Sequence, residues 1–451
     1  MSNKNTVNMC EGPILKKILA FAFPVFLTSI CQALFHTADL VVVGKFGSDI
    51  SLNAIGATGP ITTLIIGVFN GLALGAGVCV SNYFGAKDEK SLSQCVHTSM
   101  TLSVFVGLTV MLLGICLAKP MILLLKTPEL LQPKAVLYLR LYFVSSLFSI
   151  IYNFSAAILR AVGNSKRSFY YIVSGGVINV ILNLVFVIGL GKDVMGVALA
   201  TVISSAVSTV LTVRYLMKFD GSIRLYPKKL KIDMFQLKLI AKTGIPTGIQ
   251  SSCYSISSIL VQAAVNVLGV VAVGGNTAAT NLGDYVYFAM ASISSAGATF
   301  TAQNYGAGNF ERIKKCAFMS SAMIFAVGVV LGTAFFMFSD FFLGIYTDSA
   351  SEIAFGRKRI MYFTLPYFLF GIVEYIGAML KGMRRAFIVM VVSLSGICGI
   401  RVLWILTVFE KYKTADALYS SYTVSWIITL TVFLVIFVYV FKQERNSHNR
   451  I

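Results

Sequence analysis

Charged residues are scarce in this sequence, since Asp, Glu, Lys and Arg make up only 12% of its 451 residues. A soluble globular chain carries roughly 25% charged residues. A chain this long and this poor in charge cannot cover a water-facing surface with polar groups, which excludes a soluble globular fold. Hydrophobic residues make up 57% of the chain instead. The composition predicts a protein that uses lipid as part of its solvent.

Sequence signatures of metal, redox and nucleotide chemistry are missing as well. The eight cysteines form no CxxC pair and the three histidines are scattered, which argues against a metal site or a disulfide framework. The chain has no P-loop, no kinase signature and no metalloprotease motif. We therefore predict that the protein is not an enzyme, that ATP is not its energy source, and that it needs no cofactor.

Positive charge is present in excess, with 37 Lys and Arg against 18 Asp and Glu. These basic residues stand in short clusters between apolar segments, so we interpret them as topology signals and not as a nucleic-acid surface. With a cytoplasmic N-terminus, 25 of the 37 fall on the cytoplasmic side and 11 outside, which leaves Arg401 inside a span. Both termini are therefore predicted to be cytoplasmic.

Twelve apolar segments are long enough to cross a bilayer, for which roughly 20 residues are needed. They cover 14–43, 53–83, 92–118, 135–160, 168–190, 194–217, 239–269, 276–304, 316–342, 358–380, 386–409 and 418–441. This pattern predicts an all-α polytopic membrane protein. The longest polar connection divides it into an N-terminal six-helix lobe (1–218), a cytoplasmic linker (219–237), a C-terminal six-helix lobe (238–442) and a cytoplasmic tail (443–451).

The two halves resemble each other in sequence. Pro24 corresponds to Pro246 at a spacing of 222 residues, Gly85 corresponds to Gly306 at 221, and two further pairs recur at 220 and 221. Because each half has an even number of spans, both halves face the same way across the membrane. This predicts a pseudo-two-fold axis along the membrane normal, a design typical of transporters that alternate access around a central site.

Ionisable residues inside the spans are the first candidates for function, because burial in the membrane is costly for them. Asp39 shares one helix face with Gln32 and His36, at i, i+4 and i+7. Pro24 precedes them and is expected to kink or loosen the same helix. Asp39 is predicted to bind a proton or Na⁺. The alternative is a carboxylate near the outer interface that only bonds to its neighbours or to water.

Asn179 and Asn183 lie one turn apart on the fifth span, so their side chains share one face. Amide oxygens suit a hard cation. They also join helices in many membrane proteins, and the pair alone does not decide between the two roles.

Three more polar residues lie within the spans of the second half. Asp284 and Glu374 are predicted as secondary cavity residues, together with Gln32 and His36 from the first half. Glu374 and Arg401 fall in neighbouring spans, roughly 9 Å apart along the membrane normal at 1.5 Å per residue, and a structural role for the two is the alternative to a transport role. In the second span, the repeat Gly67-x3-Gly71-x3-Gly75 predicts a close helix contact, with a hinge as the alternative.

Several fragments, taken in their order along the chain, resemble the multidrug and toxic compound extrusion (MATE) family. The fragments are HTADLVVVG around Asp39, NYFGAKDEK, NFSAAILRAVGNSKR, GGVINVILNLVFVIG, GVALATVISS, QNYGAGNFERIKK and YIGAMLKGMRR. The resemblance covers nearly the whole chain. It implies an exporter in the plasma (inner) membrane of a prokaryote, with two six-helix lobes around a central cleft. It also implies exchange of organic, cationic or amphipathic compounds for H⁺ or Na⁺, by a protein expected to be a monomer among membrane lipids.

The resemblance also implies a cation site in the first lobe. Matched motif to motif, that site falls on Asp39, Asn179, Asn183 and Thr201, and the only metal expected there is Na⁺. Many relatives have a carboxylate where this chain has Asn183, so the site carries one negative charge fewer. Tyr254 stands where some relatives place an acid, so no second-lobe cation site of that kind is predicted.

A lipid-linked saccharide flippase of the same broad superfamily is the alternative function. Such a protein is expected to have a strongly cationic cavity, whereas the spans here contain one basic residue far from their ends, Arg401.

Overall fold

The computed structural model describes residues 7–448, and its regular structure over that range is helical. We number the twelve long helices in chain order. The first six are α1 (Ile14–Phe46), α2 (Asp49–Ala86), α3 (Glu89–Leu124), α4 (Gln132–Ala161), α5 (Ser165–Gly189) and α6 (Asp193–Met217). The other six are α7 (Met234–Val267), α8 (Val270–Gly306), α9 (Phe310–Met337), α10 (Ala350–Gly382), α11 (Ala386–Tyr412) and α12 (Ala415–His448). The all-α prediction is confirmed. Eleven of the predicted spans lie on one helix each, to within two residues at their ends, whereas the ninth, 316–342, continues past the end of α9 into a short helix, Ser339–Gly344.

Nine of the twelve are apolar and long enough to cross a membrane when the described residues are searched. The other three are α2, α7 and α8, which are 38, 34 and 37 residues long. In α7 and α8, many glycine, serine, threonine and asparagine residues lower the hydropathy without shortening the helix, whereas α2 contains an uncharged, apolar stretch over 61–78. Their surface is suited to close packing or to polar contacts inside the protein.

The backbone repeats the duplication that the sequence predicts. Left-handed backbone angles occur at Lys87 and again at Gly308, at Gly163 and again at Arg384, and at Gly191 and Lys413. The spacings are 221, 221 and 222 residues. Each of these residues ends or follows a helix, where a left-handed residue commonly stops the helix. The two halves of the chain therefore use the same helix ends at the same intervals.

The chain forms two compact units, and their boundaries fall inside two helices. The first unit holds 1–8 and 27–248, and the second holds 9–26 and 249–451. The boundary follows Pro24 by two residues in α1 and Pro246 by two residues in α7. Both helices continue through their proline. The lobe, linker and tail boundaries that the sequence suggested stay predictions, and positions 1–6 and 449–451 lie outside the described residues.

Glycines bring α2 and α7 together within the first unit. A Cβ atom built on Gly71 would lie 2.3 Å from the backbone N of Gly248, and one built on Gly75 would lie 2.7 Å from the backbone N of Gly244. Side chains at these positions would therefore collide with backbone atoms. The predicted close contact of the glycine repeat is confirmed, and its partner is a matching Gly-x3-Gly pair in α7.

The connection between α6 and α7 is fixed to the end of α3. The ring of His97, stacked on that of Tyr226, accepts a hydrogen bond at Nε2 from the Tyr226 backbone N–H, at 3.1 Å between nitrogens. Its Nδ1 lies 2.7 Å from the Ser93 carbonyl oxygen, so Nδ1 carries the proton. The Asp233 backbone N–H donates to Thr98 Oγ1 at 3.1 Å. These side chains satisfy backbone groups that a loop would otherwise leave to water.

Candidate cation site and buried polar clusters

Asp39, Asn179 and Asn183 meet inside the first unit. The Asn183 Nδ2 amide donates to Asp39 Oδ1 and also to Asn179 Oδ1, the latter at 3.3 Å. Asp39 comes from α1 and the two asparagines come from neighbouring turns of α5. Asn183 is fully buried and Asn179 is 5% exposed. The structure thus joins three of the four residues that the sequence analysis assigned to a cation site.

The carbonyl oxygen of Asn183 has no hydrogen-bond partner although it is buried. Leaving a buried acceptor unsatisfied costs about 1–3 kcal/mol, so such an atom calls for an explanation. A half-turn of the amide group would exchange its oxygen and nitrogen and direct the oxygen toward Asp39. The cluster would then offer carboxylate and amide oxygens together, which is the ligand set that a hard cation prefers.

Electrostatics favours the same interpretation. Within residues 7–448, Asp39 makes no ion pair, and an amide of Asn183 is the only hydrogen-bond donor to its carboxylate. A carboxylate removed from water without a cationic partner is costly, and it lowers that cost by taking up a proton or a cation. The residues present therefore fit a bound proton or Na⁺.

Apolar packing and an irregular helical turn flank this cluster. The segment after Asp39 packs in an apolar cluster with residues of α5 and α6, among them Val43, Val187 and Val197. The last turns of α5, Leu184–Gly189, form a π-helix that begins directly after Asn183. Such bulges widen a helix and are frequent at functional sites.

The other first-unit candidates stand apart from this cluster. Thr201 donates its hydroxyl to the Val197 carbonyl oxygen at 3.0 Å and makes no hydrogen bond to Asp39 or the asparagines. Gln32 and His36 are exposed, and neither hydrogen-bonds Asp39 in the described part of the chain. Their assignment to a cation site or cavity stays a prediction.

The second-unit candidates occupy two different places. Asp284 lines a cavity of about 280 Å³. Glu374 accepts a hydrogen bond from the Tyr254 hydroxyl at 3.1 Å, and the Gln250 amide donates to the same hydroxyl oxygen at 3.1 Å. Glu374 makes no ion pair with Arg401 among the residues described. The hydrogen-bond partners that lead from this acid, Tyr254 and Gln250, are both neutral side chains.

Arg359 is a residue that the sequence analysis missed. It stands in the basic run Arg357-Lys358-Arg359, which was counted as an outer connection, yet its side chain is only 6% exposed. Its Nη1 donates to Asn276 Oδ1 at 2.8 Å and to the Thr280 hydroxyl. A sequence signal existed in the i, i+4 spacing of Asn276 and Thr280, which places two acceptors on one face of α8.

The fold and these clusters define a class of protein. Twelve long helices in a duplicated chain, with polar residues collected inside each unit and away from the helix ends, are the architecture of a multi-pass membrane transporter.

Comparison with known proteins identifies the family. The MatE family model matches residues 24–185 and 246–406, once in each half of the chain. YoeA of Bacillus subtilis strain 168, named "Probable multidrug resistance protein", is 25% identical over 98% of this chain and 97% of its own length. MepA of Staphylococcus aureus strain NCTC 8325, named "Multidrug export protein", is 22% identical over 76% of each chain. The chain belongs to the MatE family, and the resemblance noted in the sequence is confirmed.

Solved structures of this fold cover the chain from end to end. A structure described as the outward-facing conformation of a multidrug resistance MATE family transporter has a TM-score of 0.92 at 18% identity, over 99% of this chain and 100% of that one. A MATE structure in a bent conformation has a TM-score of 0.90 at 19% identity, over 100% of both chains. Such structures have twelve helices in two lobes, so the predicted fold class is confirmed.

Proposed function

We propose that this protein is a secondary active efflux transporter that exports organic, cationic or amphipathic compounds in exchange for H⁺ or Na⁺. The observation that carries the proposal is the half-buried Asp39 carboxylate, without a cationic partner in the described part of the chain, beside the buried and unsatisfied carbonyl oxygen of Asn183. The names of YoeA and MepA, which refer to multidrug resistance and multidrug export, support the same class of substrate. They do not favour a saccharide flippase.

Coupling follows if the ion binds one conformation better than the other. An ion can shift a conformational equilibrium only by its difference in affinity for the two states. In the proposed cycle, a cation enters at Asp39 in the outward-facing state, weakens the binding of the substrate and is released on the other side. A tenfold difference in affinity corresponds to about 1.4 kcal/mol of coupling.

We place the protein in the plasma (inner) membrane of a prokaryote with both termini in the cytoplasm. Support comes from the Lys and Arg count, in which 25 of 37 lie on the side assigned to the cytoplasm. Its partners in this proposal are small organic substrates and membrane lipids, and the working unit is a monomer.

The decisive experiment is dye efflux from proteoliposomes under separately imposed Na⁺ and pH gradients. Wild-type protein should respond to one gradient or to both. Asp39→Asn keeps the shape of the side chain and removes its charge, so gradient-driven efflux should fall by about tenfold or more. Asp220→Asn, an exposed aspartate outside the helices, is the matched control and should retain efflux. Undiminished gradient-driven efflux by Asp39→Asn would refute the role given to Asp39.

A further inference from the structure

The second unit contains a polar cavity of about 280 Å³ that the proposed transport cycle does not use. Its wall is built from five helices, α7, α8, α10, α11 and α12, and includes two arginines and one acid. Aromatic side chains, among them Tyr367, Phe370 and Trp426, form much of the remaining surface. The volume is large enough for a small organic molecule and not only for water.

The positively charged guanidinium of Arg401 lines this cavity, and no described residue accepts a hydrogen bond from it. Its side chain is 8% exposed, and it makes no hydrogen bond and no ion pair in the described part of the chain. Its Nε is buried and unsatisfied. Its guanidinium carbon lies 4.3 Å from the centre of the Tyr422 ring. An arginine in a protein stays protonated, so this charge cannot be removed by loss of a proton.

The contact with Tyr422 does not account for the burial of that charge. A desolvated cation–π contact is worth about 2 kcal/mol, whereas taking an ion out of water costs several kcal/mol. The planar guanidinium also keeps five N–H donors, which match the two oxygens of a carboxylate. The remaining deficit is what an anionic group in the cavity would offset.

Arg359 supplies the second positive charge and is held firmly in place. Its Nη1 bonds the Asn276 carbonyl oxygen at 3.1 Å and Asn276 Oδ1 at 2.8 Å, while its Nε is buried and unsatisfied. The Tyr419 hydroxyl donates to the same Asn276 Oδ1 at 2.8 Å. All these partners are neutral. Asp284 also lines the cavity, but within residues 7–448 it is paired with neither arginine.

We propose that this cavity is a binding site for an organic anion, whose carboxylate is bound by Arg401 and Arg359 and whose apolar or aromatic body packs on Tyr367 and Trp426. Two arginines and one aspartate leave the cavity with a surplus of positive charge, which selects against a simple cation. The negative charge of Asp284 weakens the binding of a ligand whose only charged group is a carboxylate. It would favour a ligand that also carries an amino group.

The duplication of the chain allows Arg401 to be compared with the corresponding residue of the first half. Arg401 follows Asn179 by 222 residues, the spacing that also separates Pro24 from Pro246. The second unit thus has a guanidinium where the first has an amide of the cation cluster. The proposed anion site does not depend on the proposed ion coupling, since its residues belong to the second unit alone.

The test uses Trp426 as a reporter, because the chain has only two tryptophans, Trp404 and Trp426. The full-length Trp404→Phe variant in detergent is titrated with benzoate, benzylamine and benzyl alcohol, which share a ring and differ in charge. We expect a saturable change in Trp426 fluorescence with benzoate and a much weaker one with the other two. In the same background, Arg401→Met should weaken benzoate binding by about ten- to hundredfold, as expected for loss of a charged hydrogen-bonded partner.

Two further variants keep the result interpretable if Arg401→Met fails to fold. Asp284→Asn removes the acid from the cavity and should tighten benzoate binding, the opposite direction to general damage. Arg357→Met, an exposed arginine two residues before Arg359 on the same helix, should leave benzoate binding unchanged. The proposal is overturned if benzylamine binds as well as benzoate, if benzoate does not bind, or if Asp284→Asn weakens its binding. None of these outcomes depends on Asp39.

Discussion

The close approach of α2 and α7 depends on glycine, and Gly71→Ala tests it with a single added carbon. The new Cβ would lie 2.3 Å from the backbone N and 2.6 Å from the Cα of Gly248. It would also lie 2.8 Å from the Gly244 carbonyl oxygen. All three are backbone atoms, so no side chain can rotate away. The two helices must separate by about 1 Å to restore the usual contact distance of about 3.5–4.0 Å.

The size of the effect follows from two opposing terms. Forcing an extra carbon into a packed interior destabilises a protein by about 1–3 kcal/mol. Alanine in place of glycine in a helix stabilises it by about 1 kcal/mol. Gly59 in the same helix has no neighbour among the described residues within 4 Å of its built Cβ, so only the helix-propensity gain is expected for Gly59→Ala. The difference between the two variants isolates the packing term, about 1–3 kcal/mol in favour of Gly59→Ala.

Thermal unfolding of the purified protein measures this difference. For units of this size, 1 kcal/mol shifts Tm by about 2–4 °C, so Gly71→Ala should unfold about 2–12 °C below Gly59→Ala. Gly75→Ala should resemble Gly71→Ala, because its Cβ would lie 2.5 Å from the Ile240 carbonyl oxygen. Equal unfolding temperatures for Gly71→Ala and Gly59→Ala would refute the close contact between α2 and α7.

Three further substitutions test the cation cluster and the connection between α6 and α7. Asn183→Asp adds a second carboxylate beside Asp39. Na⁺ should therefore raise the Tm of this variant more than it raises the Tm of the wild-type protein, and choline is the control cation. Asn183→Ala removes the amide oxygen and should abolish any Na⁺-dependent rise in Tm. His97→Ala removes the acceptor for the Tyr226 N–H and should speed trypsin cleavage within 224–231, whereas Gln94→Ala should not. Unchanged cleavage of His97→Ala would contradict this anchoring role.

The helix positions and the duplication were predictable because each has a signal along the chain itself. Apolar length marks a span, and ordered pairs such as Pro24 and Pro246 mark the repeat. Spacing also placed Asn179 and Asn183 on one face of α5. It could not place that face against Asp39, since the neighbour of a helix depends on packing across the fold. The pairing of α1 with α5 came from the family resemblance.

Arg359 shows a second limit of sequence reasoning. Arg357, Lys358 and Arg359 are chemically similar neighbours, and their sequence gives no reason to separate them. In the structure Arg357 and Lys358 form exposed ion pairs with Asp340 and Asp416, at 3.8 and 3.2 Å. Arg359 turns inward because consecutive helical residues point about 100° apart, so the phase of the helix decides which one meets Asn276. A shift of one residue would have exposed it.

The duplicated scaffold and its polar residues follow different rules. Backbone features recur because the repeat places helix ends at the same intervals, and a left-handed residue commonly ends a helix, as at Gly163 and Arg384. The repeat does not fix the chemistry of a side chain inside a unit. Asn179 in one half corresponds by spacing to Arg401 in the other. A cation attracted by Asp39 would be repelled by Arg401. If both proposed sites operate, one ion cannot act in the same way on the two units, and coupling in a nearly symmetric fold becomes asymmetric through charge alone.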